Sequence, residues 1–279
     1  MPTVDRDGTT IYWEARGRGE PLLLIMGLGV TLEGWSRLGP ALAERYRTIL
    51  FDNRGTGRSS VPPGPYAIDT MADDAAAVLD AALRQAEGKP AQAAHVFGIS
   101  MGGMIAQELA LRYPIRVRSL ILGCTACGGR DSVPASREVV AALGARKTMT
   151  REEAMWAMAP YIYDASTPRE RIEEDFAHRL SAPVTADGYF AQLGGIRAWS
   201  GSLSRLPSIA VPTRVVHGET DQLVPPENGR IIARAIPHAR LVMIPNASHI
   251  FMTDRFDAAR DAVLSFLEEH ADVTEQAIG

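Results

Sequence analysis

The chain has 279 residues, a length typical of one large α/β domain or of two small domains. Hydrophobic residues make up 46% and charged residues 22%, close to globular averages, which excludes a disordered, collagenous or coiled-coil chain. The net charge of −4 comes from 33 acidic and 29 basic residues. Because no basic excess is available to neutralise phosphates, we expect no nucleic-acid partner.

The N-terminus has no apolar stretch of the kind found in a secretory signal. The longest apolar run, residues 22–26, is far too short to cross a bilayer. The sequence therefore predicts a cytoplasmic protein without a membrane partner.

Short apolar runs alternate with helical patterns in the first half of the chain. The predicted strands are 10–15, 21–26, 48–51, 95–99 and 117–122, and the predicted helices are 34–45, 68–85 and 101–113. This alternation predicts an α/β fold with a mostly parallel sheet flanked by helices. The first of these strands has charged residues and glycines around it, and we expect it to enter the sheet as an antiparallel strand.

The alternation stops at about residue 131. Residues 131–206 contain helical stretches without a strong strand signal, punctuated by Pro134, Pro160, Pro168 and Pro183, and Pro207 directly follows them. Strands at 213–217 and 241–244 and helices at 226–235 and 255–270 follow. We therefore predict an α/β core of residues 1–130 and 207–279 with an α-helical cap, or lid, at 131–206, and a frayed tail at 271–279.

Residues 98–102 match the pattern G-x-S-x-G, with Ser100 at its centre. The pattern follows the predicted strand 95–99 and precedes the predicted helix 101–113. A serine at such a sharp strand-to-helix turn exposes its hydroxyl, and the helix N-terminus offers N–H groups to a developing oxyanion. The context predicts that Ser100 is a nucleophile, whereas the pattern without this context would indicate only a turn.

A serine nucleophile requires a base, and His249 is the candidate because it lies in a loop after the last predicted strand. Loops at the carboxyl ends of parallel strands converge on one crevice, where Ser100 is also expected. His95 and His217 lie within apolar runs and are predicted to be core or strand-edge residues. The remaining histidines are His178 in the cap, His238 in a turn and His270 at a helix end.

The acid that orients the histidine should lie between the serine and the histidine in sequence and should also follow a strand. The segment 218–225 follows the strand 213–217 and offers two carboxylates, Glu219 and Asp221. The position after strand 117–122 has no carboxylate before Asp131. From the residues themselves, the choice stays between Glu219 and Asp221.

The order Ser100, acid, His249 resembles that of the α/β-hydrolase superfamily, and the resemblance covers nearly the whole chain. It extends to the motifs at 26–29 (MGLG), 51–59 (FDNRGTGRS), 98–103 (GISMGG), 218–225 (GETDQLVP) and 246–249 (NASH). The chain is most similar to serine esterases and lactonases, including 3-oxoadipate enol-lactonases and polyketide methyl esterases. The resemblance implies that Asp221 is the acid, and that the backbone N–H groups of Leu28 and Met101 form the oxyanion hole.

One residue departs from the family pattern. Met26 stands where many members carry the histidine of an HGxG motif. Because an oxyanion hole needs N–H geometry and not this side chain, the departure affects the assignment to a subfamily more than the expectation of hydrolysis.

Two further motifs have a structural and a functional interpretation. Asp52 and Arg54 could act in catalysis, but we expect them to hold the glycine-rich loop that follows a strand. Cys124 and Cys127 form a CxxC, which could indicate redox chemistry or a metal site. Because a structural zinc site of this type needs four cysteines, we expect two ordinary small residues at a strand end.

The cap is rich in methionine and aromatic residues, most of which must form its own core. Trp156, Met158 and Tyr161 are candidates for lining an apolar substrate pocket over the cleft. Trp35, just after the oxyanion loop, could also contact substrate, and helix packing is an equal alternative for it.

The sequence thus predicts a hydrolase that cleaves a carboxylic ester or lactone of a small, apolar molecule through an acyl-enzyme. Alternatives on the same triad are cofactor-free haloperoxidase or perhydrolase activity and C–C hydrolysis, and a further alternative is a non-catalytic binding protein. Dehalogenases and epoxide hydrolases need an aspartate nucleophile. We do not expect either activity, because the nucleophile position here holds Ser100. We expect no cofactor and no metal, and a monomer or homodimer.

Overall fold

A single eight-stranded sheet forms the centre of the computed structural model, which describes residues 2–87, 93–145 and 148–271. The strands are β1 (Thr3–Arg6), β2 (Thr9–Arg16), β3 (Pro21–Ile25), β4 (Arg47–Phe51), β5 (Ala94–Ile99), β6 (Val117–Gly123), β7 (Thr213–Gly218) and β8 (Arg240–Ile244). Their order across the sheet is β1-β2-β4-β3-β5-β6-β7-β8. The pairs β1–β2 and β2–β4 are antiparallel and the remaining pairs are parallel. This confirms the predicted fold class and the antiparallel entry strand.

The first strand, β1, was not among the predicted elements. It forms a hairpin with β2 through Asp7 and Gly8, whose φ values are 53° and 78°. A two-residue hairpin turn of this kind needs positive φ at both central residues, and an Asp-Gly pair favours it. Because β1 has only four residues and none of them is fully buried, its apolar pattern is too weak to indicate a strand.

Ten α-helices belong to the described parts of the chain. They are α1 (Gly39–Ala43), α2 (Ile68–Glu87), α3 (Met101–Arg112), α4 (Arg137–Ala145), α5 (Arg151–Ile162), α6 (Arg169–Leu180), α7 (Ala186–Ala198), α8 (Glu227–Ala235), α9 (Phe251–Asp254) and α10 (Phe256–Glu269). None of these described helices is both long and apolar enough to cross a membrane.

Two helix predictions were wrong in detail. The predicted helix 34–45 is a short 3-10 turn, Leu32–Trp35, followed by the separate helix α1, which Pro40 can begin because a proline is tolerated in a first turn. Pro160 does not interrupt the cap helices but lies in the last turn of α5. The last predicted helix, 255–270, is confirmed by α10, and the short helix α9 before it was not predicted. Of the predicted tail, residues 272–279 lie outside the described part.

The chain leaves the sheet after β6 and returns to it at β7. Helices α4 to α7 lie between these strands, and the described residues of this segment contain no strand longer than the isolated bridge from Thr56 to Val184. We call this helical segment, residues 131–206, the cap. Its division from the core into a separate domain stays a prediction.

The sheet buries its two faces against different helices. On β3, Leu23 and Ile25 belong to the apolar cluster that includes α2 and α3, whereas Leu22 and Leu24 belong to the cluster with Trp35 and α10. Successive side chains of a strand point to opposite faces, so a continuous apolar run fills both layers. The loops at the carboxyl ends of the parallel strands therefore meet at one edge of a rigid sheet.

Candidate active site

Ser100 lies between the last residue of β5 and the first residue of α3. Its backbone has φ 58° and ψ −122°, a region that residues with a side chain rarely adopt and that marks a strained turn. Its N–H donates to the carbonyl of Gly123 at 2.9 Å, and the residue remains partly exposed. The strain holds the hydroxyl above the carboxyl edge of the sheet.

The two glycines of the pattern are required by close packing. A Cβ atom on Gly98 would lie 2.1 Å from the carbonyl oxygen of Gly102, and one on Gly102 would lie 2.1 Å from the carbonyl oxygen of Ile25. No side chain fits at either position. The G-x-S-x-G pattern is therefore the residue pattern that this turn demands.

His249 and Asp221 meet in the loops that follow β8 and β7. His249 Nδ1 lies 2.8 Å from Asp221 Oδ2, and both residues are buried. The other carboxylate oxygen of Asp221 accepts the N–H groups of Leu223 at 2.9 Å and Val224 at 2.8 Å. These contacts fix the carboxylate, which in turn orients the imidazole. Glu219, the alternative acid, is exposed and has no such contact with His249 among the described residues.

Cys124 connects the serine loop to the histidine loop. Ser100 donates to the carbonyl of Gly123, and the next residue, Cys124, donates through Sγ to the carbonyl of Ser248 at 3.7 Å. Ser100 and His249 are thereby held at the same edge of the sheet. No hydrogen bond joins the Ser100 hydroxyl to the His249 ring within the described residues. Contacts between catalytic groups often tighten only when substrate binds.

The surroundings of Asp221 favour the ionised form of its carboxyl group over the neutral form. Burial by itself raises the pKa of a carboxyl, but the neighbouring His249 and His217 outweigh burial and hold the pKa of Asp221 well below its ordinary value. His217 is the strand-edge histidine that the sequence predicted, and its Nε2 lies 2.8 Å from the carbonyl oxygen of Val224. An ionised Asp221 can stabilise a protonated His249.

The loop that contains Leu28 passes directly beside the serine. A Cβ atom on Gly27 would lie 3.1 Å from the Cβ atom of Ser100. Met101 is the first residue of α3, so its N–H has no acceptor within the helix. Met101 follows Ser100 in the chain and Leu28 follows Gly27, and the formation of an oxyanion hole by their N–H groups stays a prediction. Met26 is buried, and its backbone carbonyl accepts a hydrogen bond from Asn53 at 3.0 Å.

Asp52 and Arg54 form contacts that support this loop. Asp52 accepts the N–H of Leu32 at 2.8 Å and the N–H of Arg58 at 2.9 Å, which joins the two loops. Arg54 forms a paired hydrogen bond with the buried Asp74, at 2.6 and 2.7 Å. These contacts agree with the expected structural role of both residues.

Sequence reasoning missed a second carboxylate, Asp254 at the end of α9. Asp254 accepts the N–H of Ser248 at 2.7 Å and the hydroxyl of Thr167 at 2.6 Å. Burial raises the pKa of Asp254 above its ordinary value, although these hydrogen bonds favour the charged form. The residue anchors the backbone next to His249, and no sequence pattern marks it.

The four residues that were predicted to contact substrate have different surroundings in the structure. Trp35 is 1% exposed and packs against Phe97 with 5.0 Å between ring centroids, so its contacts support helix packing. The other three lie in or beside the apolar cluster of the cap: Met158 is buried, Trp156 packs on Phe176, and the hydroxyl of Tyr161 donates to Glu138. Their contact with substrate stays a prediction.

The apolar cluster of the cap continues onto the catalytic loops. Leu223, two residues after Asp221, and Ile250, next to His249, both pack against it. The backbone N–H of Ile250 also donates to the carbonyl of Ile162 at 2.9 Å. The cap therefore presents an apolar surface beside the His249–Asp221 pair.

The two cysteines are free, buried thiols. Burial and the nearby Asp221 raise the pKa of Cys124 well above its ordinary value, which disfavours the reactive thiolate. Ligand atoms of Cys124, His217 and Asp221 lie within 4.8 Å of one another, close enough to share a metal ion. However, both oxygens of Asp221 and the Nε2 of His217 are already engaged in the hydrogen bonds described above. The geometry therefore fits a hydrogen-bonded cluster better than a metal site.

A cavity of about 380 Å³ lies away from Ser100, between α2, α3 and the end of α7. Three charged side chains that line it are already paired: Glu108 accepts hydrogen bonds from Trp199 and Arg205, and Arg112 binds Asp73. No residue of the Ser100 edge lines it. The candidate residues Ser100, Asp221 and His249 therefore lie outside this cavity.

Comparison with known proteins agrees with the fold. Residues 20–256 match the family model described as the alpha/beta hydrolase fold. The chain belongs to this family, which confirms the predicted fold and the predicted hydrolase class.

Among its relatives is a protein of Azorhizobium caulinodans provisionally named carbamate hydrolase RutD. It is 32% identical, over 96% of this chain and 99% of that protein. The poly(3-hydroxyalkanoate) depolymerase of Ectopseudomonas oleovorans is 31% identical, over 96% and 92%. Among solved structures, the enol-lactonase of Burkholderia xenovorans is similar with a TM-score of 0.82 and 28% identity, over 96% of this chain and 100% of that one.

Proposed function

We propose that this protein hydrolyses a carboxylic ester or lactone of a small, apolar molecule through an acyl-enzyme on Ser100. Two observations support the proposal: Ser100 lies on a strained turn at the carboxyl edge of the sheet, and His249 and Asp221 form a hydrogen-bonded pair in loops that follow neighbouring strands. A serine hydroxyl is a weak nucleophile unless a base removes its proton, and this pair supplies the base and the group that orients it.

In the proposed reaction, the Ser100 oxygen attacks the carbonyl carbon while His249 takes the hydroxyl proton. The carbonyl oxygen becomes an anion, which the N–H groups of Leu28 and Met101 stabilise. When the carbon–oxygen bond of the ester breaks, His249 returns the proton to the leaving alkoxide. Water, activated by His249, then cleaves the acyl-enzyme and restores Ser100.

The preference for an apolar substrate is supported by the cap. Leu223 and Ile250 lie next in the chain to the catalytic acid and base, and both belong to the apolar surface that the cap extends over them. Apolar groups of a substrate that pack there would be removed from water, at about 25 cal/mol per Å². The relatives named as an enol-lactonase and a polyester depolymerase act on compounds with the same ester bond.

The proposal is tested with p-nitrophenyl acetate and a fluorophosphonate. We expect turnover of the ester and stoichiometric labelling of the peptide that contains Ser100. A protein that is folded but neither turns over esters and lactones nor reacts with the fluorophosphonate would be a binding member of the family, and the proposal would be wrong. The predicted cytoplasmic location and the monomer or homodimer state are separate predictions.

A further inference from the structure

One face of the cap helix α7 packs directly on the core loops around the site. Gly188, Gln192 and Gly195 are the buried residues of α7, and their spacing of four and three places them on one side of a helix. A Cβ atom on Gly188 would lie 1.9 Å from the carbonyl oxygen of Gly55, and one on Gly195 would lie 1.6 Å from that of Tyr66. The glycines therefore let the helix backbone approach the core as closely as backbone atoms allow.

This close approach brings the side chain of Gln192 into the core. Gln192 is fully buried. Its Oε1 accepts the backbone N–H of Gly29 at 2.8 Å, and its Nε2 donates to the carbonyl of Arg54 at 2.8 Å. A buried amide with both ends paired is a fixed connection, because breaking either bond leaves a polar group without a partner.

Gly29 belongs to the turn that contains the predicted oxyanion donor. The N–H of Val30 donates to the carbonyl of Gly27 at 3.3 Å, which closes a turn with Leu28 and Gly29 at its centre. Gly29 has φ 64°, as the third residue of a turn often does when it is glycine. The hydrogen bond from the Gly29 N–H to Gln192 therefore holds this turn at the residue that directly follows Leu28.

We propose that Gln192 is a positioning residue for the oxyanion hole. By holding the N–H of Gly29, it ties the residue next to Leu28 to the cap helix and so limits the displacement of Leu28, whose N–H the proposed function assigns to the oxyanion hole. The cap then affects the rate of the chemical step as well as the choice of substrate. This inference rests on the proposed function, because it assumes that an anion forms beside Ser100.

The test compares Gln192→Met with Ser202→Ala. The methionine has a similar length and suits a helix, but it cannot accept from Gly29. Ser202 is a matched control, since it is also buried, lies between α7 and β7, and donates to the core residue Gln107 at 2.7 Å. It has no contact with the oxyanion loop among the described residues. For each protein, kcat, KM and Tm are measured, together with the affinity for a trifluoromethyl ketone.

The trifluoromethyl ketone reports on the oxyanion hole. The Ser100 oxygen adds to its carbonyl carbon, the proton moves to His249, and the carbonyl oxygen becomes an anion with no leaving group to expel. Removing a whole oxyanion donor lowers kcat about 10²–10³-fold, so misplacing one should cost about 10- to 100-fold. We expect Gln192→Met to lower kcat and inhibitor affinity by the same factor, with KM nearly unchanged. Ser202→Ala should lower Tm and leave kcat and inhibitor affinity as in the wild type.

A second variant, Gln192→Glu, keeps an oxygen that can accept from Gly29 and loses the amide donor to Arg54. We expect its kcat to lie well above that of Gln192→Met, and it also provides the test if the methionine variant does not fold. The inference is overturned if Gln192→Met keeps wild-type kcat and inhibitor affinity, if Ser202→Ala loses them equally, or if a folded Gln192→Glu has no more activity than Ser100→Ala. A wild-type protein without ester turnover or labelling would instead refute the proposed function.

Discussion

The carboxylate of Asp221 holds His249 from one side while two backbone N–H groups hold the carboxylate from the other. The distance between Asp221 Oδ2 and His249 Nδ1 is 2.8 Å, and Asp221 Oδ1 accepts from Leu223 and Val224. The carboxylate therefore cannot turn away from the ring without losing these bonds. This arrangement favours the tautomer that leaves His249 Nε2 free to accept the serine proton.

Replacing Asp221 by Asn should lower kcat by about 10⁴-fold, because an amide can present a donor to Nδ1 and favours the wrong tautomer. Glu219→Gln is the matched control, since Glu219 lies two residues away and is exposed. Steady-state kinetics on one ester measure both variants. Equal losses at the two positions would show that Asp221 is not the orienting acid.

Ser100→Ala should remove essentially all turnover and leave the fold intact. Acyl transfer loses its covalent route, and only the contribution of the oxyanion hole and of binding remains. Because alanine also has to adopt the strained φ of this turn, we expect little change in Tm. The measurement is turnover together with fluorophosphonate labelling. Undiminished activity in the variant, or labelling of another residue in the wild type, would contradict the assignment.

The stability that ionised Asp221 provides should depend on pH. The pKa of Asp221 in the folded protein lies below its ordinary value. At a pH near the ordinary pKa of a carboxyl, the folded state therefore binds fewer protons than the unfolded state. The stabilisation is therefore present above about pH 5 and is lost progressively below it. Asp74 and Asp254 have raised pKa values and therefore contribute to the pH dependence of stability with the opposite sign. The free energy of unfolding of the whole protein, plotted against pH, combines these contributions.

The contribution of Asp221 can be isolated by comparing the wild type with Asp221→Asn in urea unfolding. The free energy of unfolding should differ by an amount on the order of 2 kcal/mol at neutral pH. The difference should shrink as the pH is lowered from about 5 to about 3, since the carboxyl of Asp221 then takes up a proton in the unfolded state but not in the folded state. A difference that is constant over this range would mean that the charge of Asp221 does not stabilise the fold.

Hydrolysis should survive exhaustive chelation and need no added cofactor. The ligand atoms of Cys124, His217 and Asp221 are close together, but Asp221 is committed to His249. Dialysis against EDTA followed by the ester assay measures this, with Cys124→Ala treated in the same way. A loss of activity that one divalent ion restores would contradict the prediction and would point to these three residues.

The cap should control which ester is accepted. Trp156→Ala, Met158→Ala and Tyr161→Ala are each assayed on a short and a bulky ester of the same alcohol. A residue that contacts substrate should weaken the bulky ester selectively, because it removes apolar contact area from that ester alone. We expect at least one variant to change the ratio of the two kcat/KM values with Tm nearly unchanged. Three variants that only lower Tm, or that scale both rates equally, would show that the cap acts only as packing.

The sequence by itself determined the parts of the protein that depend on local patterns. The strand, serine and helix of the turn at Ser100 follow one another within the chain, and two glycines are needed there for steric reasons. The parallel sheet follows from the alternation of apolar runs and helical periods. Once parallel strands are assigned, the loops that contain Asp221 and His249 must reach the same edge, so their convergence was predictable without coordinates.

Tertiary structure decided the contacts between segments that are distant in sequence. Gln192 reaches Gly29 across 163 residues, and Asp254 reaches Thr167 across 87. Neither contact has a periodic signal, since each depends on how closely a helix approaches a loop. For Gln192 that distance is set by Gly188 and Gly195, where the lack of a side chain lets α7 touch the core. Hydrophobic periodicity reports which face of a segment is buried, but close packing of backbone on backbone decides which polar atoms meet there.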